Sequence, residues 1–160
     1  MGDRGVIQVN QSHFDQGIGV ISLYTHWGGG ELPQVLARAL ARSSDRWNDE
    51  AYLTRIIFNE MTKGREMDSI GFGIMACRAK EIDTNNPPII LSWSEASKAY
   101  ALNLKANDLV ITCNIWEENS IYSPEEFIDE FMPEPEPDYD IHKEIDGFLK
   151  PPRRVVEDDE

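Results

Sequence analysis

The sequence predicts an α+β domain: an antiparallel β-sheet with two or three helices packed on one face, followed by an acidic C-terminal extension. Three observations predict it. Residues 6–10, 19–27, 70–77, 88–93 and 109–116 form short alternating or β-branched runs, the pattern of strands. Two segments, beginning near Glu31 and Glu50, carry apolar residues at helical spacing. Charge is placed unevenly: residues 123–160 hold 14 acids and 4 bases, whereas residues 1–122 hold 15 acids and 11 bases. The boundary falls where proline and acid take over, giving a domain over residues 1–132 and an extension over 133–160.

At 160 residues the chain is long enough to bury one core. Its formal charge of −14 argues against direct binding of nucleic acid, which needs clustered Lys and Arg on the phosphates. No apolar run approaches the roughly 18 residues of a membrane span. The opening residues Met1 to Gly5 lack the plan of a signal peptide, and Val6 stands where a myristoylation signal has Ser or Thr. The expected location is cytoplasmic, with no membrane partner. Cys77 and Cys113 lie in separate apolar runs and are expected as reduced core residues rather than a disulfide or a metal pair.

Residues 6–10 read as a first strand, and Asp15-Gln16-Gly17 turns it into a second over residues 19–27. In that strand Val20, Ser22, Tyr24 and His26 share one face, with Ile21, Leu23, Thr25 and Trp27 on the other. It breaks into Gly28-Gly29-Gly30 ahead of a helix, an arrangement that can offer free N–H groups to an anion. No Lys-Ser/Thr follows, so it is not a P-loop. The bland alternative is a strand-to-helix turn with Tyr24 and Trp27 as core aromatics.

Pro33 suits the first turn of the next helix and Glu31 its positive end. Leu32, Val35, Leu36, Ala39 and Leu40 form its stripe. Arg38, Arg42 and Arg46 step along the opposite side, as a phosphate rail or a solvated face. After the break at residues 43–47, Asn48 or Asp49 can cap a second helix over residues 50–63, with Leu53, Ile56, Ile57, Glu60 and Met61 inward. Gly64 ends it.

Gly71 and Gly73 share one face of the strand over residues 70–77. That face is either a pocket floor or a site of close packing by Trp27 or a helix. Residues 88–93 are expected to turn back through residues 94–97 into 98–102. Ser123-Pro124-Glu125-Glu126 is a complete helix start. Beyond it, Met132-Pro133-Glu134-Pro135-Glu136-Pro137-Asp138 reads as an extended acidic linker, and residues 141–149 as a short amphipathic segment anchored by Ile141, Ile145, Phe148 and Leu149.

Met1-Gly2-Asp3-Arg4, Tyr24-Thr25-His26-Trp27-Gly28-Gly29, Leu32-Pro33, Arg46-Trp47-x-Asp49 and Tyr52-Leu53-x-Arg55-Ile56-Ile57-Phe58, with Gly71-Phe72-Gly73-Ile74 behind, form one pattern. On it, residues 1 to about 75 resemble a family of short, biochemically uncharacterised proteins of bacteriophages and bacteria. The resemblance implies a phage or mobile-element accessory protein, and does not cover the acidic segment.

Three function classes compete. Catalysis has no motif behind it: there is no HExxH, CxxC, nucleophile elbow or dinucleotide fingerprint, and His26, Glu60 and Asp49 are only a conceivable acid–base set. No catalytic residue, metal or cofactor is expected. A small-ligand binder would use Tyr24, His26, Trp27, Gly28, Gly29, Gly30, Arg46 and Arg55 to hold a nucleotide or cyclic nucleotide. A protein-binding inhibitor would present Glu125, Glu126, Asp129, Glu130, Glu134, Glu136 and Asp138 where phosphates would lie on a basic host protein. The last is the reading adopted, against the plain alternative that an acidic tail only confers solubility.

Overall fold

A computed structural model describes residues 2–11, 19–93, 96–115 and 118–135. The strands are β1 (Gly5–Gln11), β2 (Gly19–Thr25), β3 (Phe72–Met75), β4 (Ile89–Ser92), β5 (Val110–Cys113) and β6 (Ser120–Tyr122). The helices are α1 (Leu32–Ala41), α2 (Glu50–Met61), α3 (Ala96–Ala101) and α4 (Pro124–Phe131). The strands form one sheet in the order β3-β2-β1-β4-β5-β6.

β1 is the organising strand. It pairs antiparallel with β2, Ile7 opposite Leu23, and parallel with β4, Ile7 opposite Ile89. The wholly antiparallel sheet expected from sequence is therefore corrected at this one pair; the other four pairings are antiparallel. The physical reason is burial on both faces. Val6, Ile7 and Val9 are all 0% exposed, the environment in which parallel strands occur.

A second correction concerns residues 98–102, expected as a strand returning from β4. Ala96-Ser97-Lys98-Ala99-Tyr100-Ala101 instead forms α3, because three alanines within six residues favour the helix. Asn103 then adopts a left-handed conformation that ends it.

One face of the sheet gives Ile7, Val9, Leu23, Leu91 and Ile111 to the core. Against them lie Leu36 and Leu40 of α1, Leu53 and Ile57 of α2, and Phe127 of α4. Each such side chain, fully buried, contributes about 1.5–3 kcal/mol. The buried residues of α2 are Leu53, Ile56, Ile57, Glu60 and Met61, the stripe its periodicity predicts. Asp49 is its cap, accepting from the Tyr52 N–H at 3.2 Å.

α1 and α2 are also joined by charge. Glu60 is buried, and its carboxylate takes Arg38 Nε at 3.0 Å and Arg42 Nε at 3.1 Å. Arg42 also donates to the Ile56 carbonyl. The presumed rail is thus two clamp residues plus Arg46, which pairs with Asp45 and Asp49. Two tryptophans tie the far ends: Trp47 donates to the Leu40 carbonyl at 3.0 Å, and Trp93 to the Trp47 carbonyl at 2.7 Å.

Cys113 is buried, and burial pushes its thiol up to about 11. Cys77 is only half-buried and lies past the end of β3, so it is not the core residue expected. Both are free thiols. Among the described residues no helix is long and apolar enough to cross a membrane. The turn at residues 15–17 and the segment over residues 141–149 lie outside the described residues.

Candidate partner-binding surface and the glycine corner

α4 is built by its cap. The Ser123 side chain accepts from the Glu126 N–H at 3.1 Å, and the Glu126 carboxylate accepts from the Ser123 N–H at 3.0 Å. These reciprocal bonds satisfy two donors that a helix start otherwise leaves open. Pro124 supplies the first helical position. Pro124, Phe127 and Phe131 turn inward, and Phe127 packs against Phe131 at 4.5 Å with the rings tilted and meets Tyr122 edge-on at 5.5 Å. Burial and neighbouring carboxylates together hold the Tyr122 hydroxyl above its ordinary pKa.

That docking leaves Glu125, Glu126, Asp129 and Glu130 exposed along the outer face, with Glu134 exposed just beyond. None of them pairs with a base among the described residues. The four carboxylates of α4 come as two adjacent pairs, Glu125–Glu126 and Asp129–Glu130, one helical turn or about 6 Å apart along the axis. Glu136 and Asp138 lie outside the described residues.

The glycine corner is knitted to the start of the chain. The Gly29 N–H donates to the Asp3 carbonyl at 2.8 Å, and the Gly30 N–H to the Asp3 carboxylate at 3.0 Å. Asn86 donates to the other carboxylate oxygen at 2.6 Å. The Gly30 N–H bond and then the Asn86 bond hold the Asp3 carboxyl below its usual pKa. The Gly29 and Gly30 N–H groups expected to be free for an anion are therefore met by the protein's own backbone and carboxylate. Gly28 is left-handed at φ +79°, and a Cβ on Gly29 would lie 2.6 Å from the Arg4 carbonyl group, so both glycines have structural reasons.

Tyr24 and Trp27 are not core aromatics. Tyr24 is half-buried and Trp27 is 44% exposed, since β2 ends at Thr25 and the Trp27 ring lies beside Gly71. The Tyr24 hydroxyl and His26 Nδ1 are 3.0 Å apart, and Trp27 meets the His26 ring edge-on. Arg46 and Arg55 do not join this corner. Both lie against the Tyr52 ring, at 5.0 and 6.0 Å, near the start of α2. The ten residues of α1, about 15 Å of helix, separate Arg46 from the glycines. Asp49 and Glu60 likewise sit at opposite ends of α2, about 16 Å apart, the first a cap and the second clamped.

The cation at the corner is Arg65, which sequence reasoning missed. Its guanidinium lies 5.8 Å from the Trp27 ring and 5.3 Å from the Phe72 ring, and pairs with Asp68 at 2.6 Å. With Thr25, Leu32 and Met61 these residues line an open cleft of about 360 Å³. A larger cleft, about 800 Å³, runs beside Arg38, Glu60 and Lys63 and is bordered by Met132, Pro133 and Glu134. The only sequence sign of Arg65 is its place directly after Gly64; its ring partners come from the turn after β2 and from β3, which only the β2–β3 pairing brings together. Among the described residues no group of His, Cys, Asp and Glu is arranged to hold a metal.

No family model, no curated protein and no solved structure matches the chain.

Proposed function

We propose that this is a non-catalytic accessory protein of a phage or mobile element, acting in the host cytoplasm. It binds and inhibits a basic host protein, a nucleic-acid-binding component of a defence system, by presenting an acidic surface in place of nucleic acid. The observation that carries this reading is the outer face of α4. Four exposed carboxylates without base partners sit in two pairs, one turn apart, on a helix fixed by its cap and by Phe127. An ordered array loses less entropy on binding than a loose acidic tail. The excess of acid continues from residue 123 to the end of the chain and steers a basic partner over long range. The resemblance over residues 1 to about 75 supports the setting.

The test is binding to the partner as ionic strength rises, with single-stranded DNA as competitor. An acidic mimic loses affinity steeply with salt and is displaced by the DNA. Salt-insensitive binding that DNA leaves untouched overturns the reading.

A nucleotide or cyclic-nucleotide binder remains the second reading, moved from the glycine N–H groups to the cleft beside them. The observation favouring it is Arg65 held over Trp27 and Phe72 at that cleft. Arg65→Ala abolishes nucleotide-induced quenching of tryptophan fluorescence on this reading, while Arg46→Ala leaves it unchanged.

A further inference from the structure

We propose that the C-terminal extension docks on its own domain, with residues 136–149 seated along the groove between α1 and α2. Two clefts make this groove. Glu31, Val35 and Met61 line both of them, so the larger cleft beside Arg38 and Lys63 runs on into the smaller one at Trp27 and Phe72.

The path of the chain selects the occupant. As it leaves α4, Met132, Pro133, Glu134 and Pro135 already border the larger cleft. Met132 has left the helix for extended backbone, at φ −61° and ψ 120°, and the prolines on either side of Glu134 favour the same geometry. Twenty-five residues follow Pro135, and they start at the groove. From Glu31 to Arg38 the α1 wall measures about 10 Å. The five residues 136–140 span about 16 Å when extended, enough to run the length of that wall. A segment tethered at its site is presented there at about millimolar effective concentration, so modest contacts hold it.

The chemistry matches along that path. Lys63 is exposed and has no ion-pair partner among the described residues. With ion-pair partners counted, the domain side of the groove holds Arg38, Arg42, Lys63 and Arg65 against Glu31, Glu60 and Asp68, a net of +1. Residues 134–140 carry four acids and no base. In a chain of net charge −14, this wall is a place where those acids meet no excess of acid. Beyond them, Ile141, Ile145 and Phe148 recur at helical spacing. Their counterparts are half-buried Val35 and Trp27, 44% exposed, in the smaller cleft.

Glu125, Glu126, Asp129 and Glu130 line neither cleft, so the inference stands apart from the acidic face of α4. On it, a nucleotide at Trp27 must displace the extension.

The experiment is carbodiimide crosslinking of the full chain, which joins a lysine amine only to a carboxylate in contact with it. Peptide mass spectrometry then reads the products, from wild type and from Ile141→Ser, Ile145→Ser and Phe148→Ser combined. Mixing isotope-labelled with unlabelled chain separates products within one chain from those between two. Wild type is expected to join Lys63 to Glu136, Asp138 or Asp140 within one chain, several-fold more often than Lys80 or Lys105. The tether alone brings the extension near Lys63, so the variant decides. It keeps every carboxylate and every residue of the domain, and its Lys63 product is expected to fall several-fold. A product that survives the three substitutions overturns the proposal. So does the absence of any Lys63 product in wild type, or a product formed only between chains.

Discussion

The carboxylate of Asp3 accepts the Gly30 N–H at 3.0 Å, so the helix-start corner that invites an anion carries one of its own. The folded pKa of Asp3 is depressed, chiefly by this bond. Its contribution to stability is therefore full above the ordinary value of 3.8 and is lost as pH falls through the lower folded value. Asp3→Asn is expected to flatten the acid limb of the stability curve below about pH 4. At neutral pH the cost stays below about 1 kcal/mol, because the carboxylate is exposed and screened. Urea unfolding at a series of pH values measures both.

Glu60 is the buried member of a clamp whose two arginines are half exposed. Glu60→Gln leaves two guanidinium groups without their anion and is expected to destabilise by about 2 kcal/mol. That is less than a fully buried pair, because Arg38 and Arg42 can turn to water. The midpoint of chemical unfolding reports it, with an unchanged slope.

Gly71 sits at φ +97°, and a Cβ there would lie 2.9 Å from the Trp27 ring. Gly71→Ala combines backbone strain with displacement of Trp27, and is expected to cost about 1–3 kcal/mol. Gly73→Ala, in open space at a strand position, is expected to change stability by less than about 1 kcal/mol. Paired thermal melts distinguish the two glycines.

Ser123→Ala removes the side-chain half of the capping box and is expected to cost about 1 kcal/mol. Since α4 carries the proposed binding face, the same change is expected to weaken partner binding without altering a single carboxylate. Amide exchange over residues 124–131 reads the fraying directly.

Local patterns were legible in the sequence. The α2 stripe ending in Glu60 and Met61 and the α4 capping box are fixed by spacings of three and four residues, and both occur in the structure; of the two caps open to α2, Asn48 and Asp49, the fold uses Asp49. Long-range pairings were not. Nothing in residues 6–10 distinguishes a parallel neighbour from an antiparallel one, and β6, three residues long, carries too little pattern to find. The ligand residues failed for the same reason: Arg46 and Arg55 match the chemistry of the glycine corner but sit beyond the far end of α1. Arg65 arrives there only through the pairing of β2 with β3.

The outer face of α4 is the surface proposed to engage a basic nucleic-acid-binding protein. A chain cut at Tyr122 is a poor probe, because it removes Phe127 from the core. The direct measurement is an affinity pull-down from host lysate, analysed by mass spectrometry, comparing wild type with Glu125→Gln, Asp129→Asn and Glu130→Gln combined. Glu126 is left in place to keep the cap. A basic nucleic-acid-binding protein is expected to be retained by wild type, released by single-stranded DNA and lost from the neutralised variant. Equal retention by both chains, or no such protein on either, would contradict it.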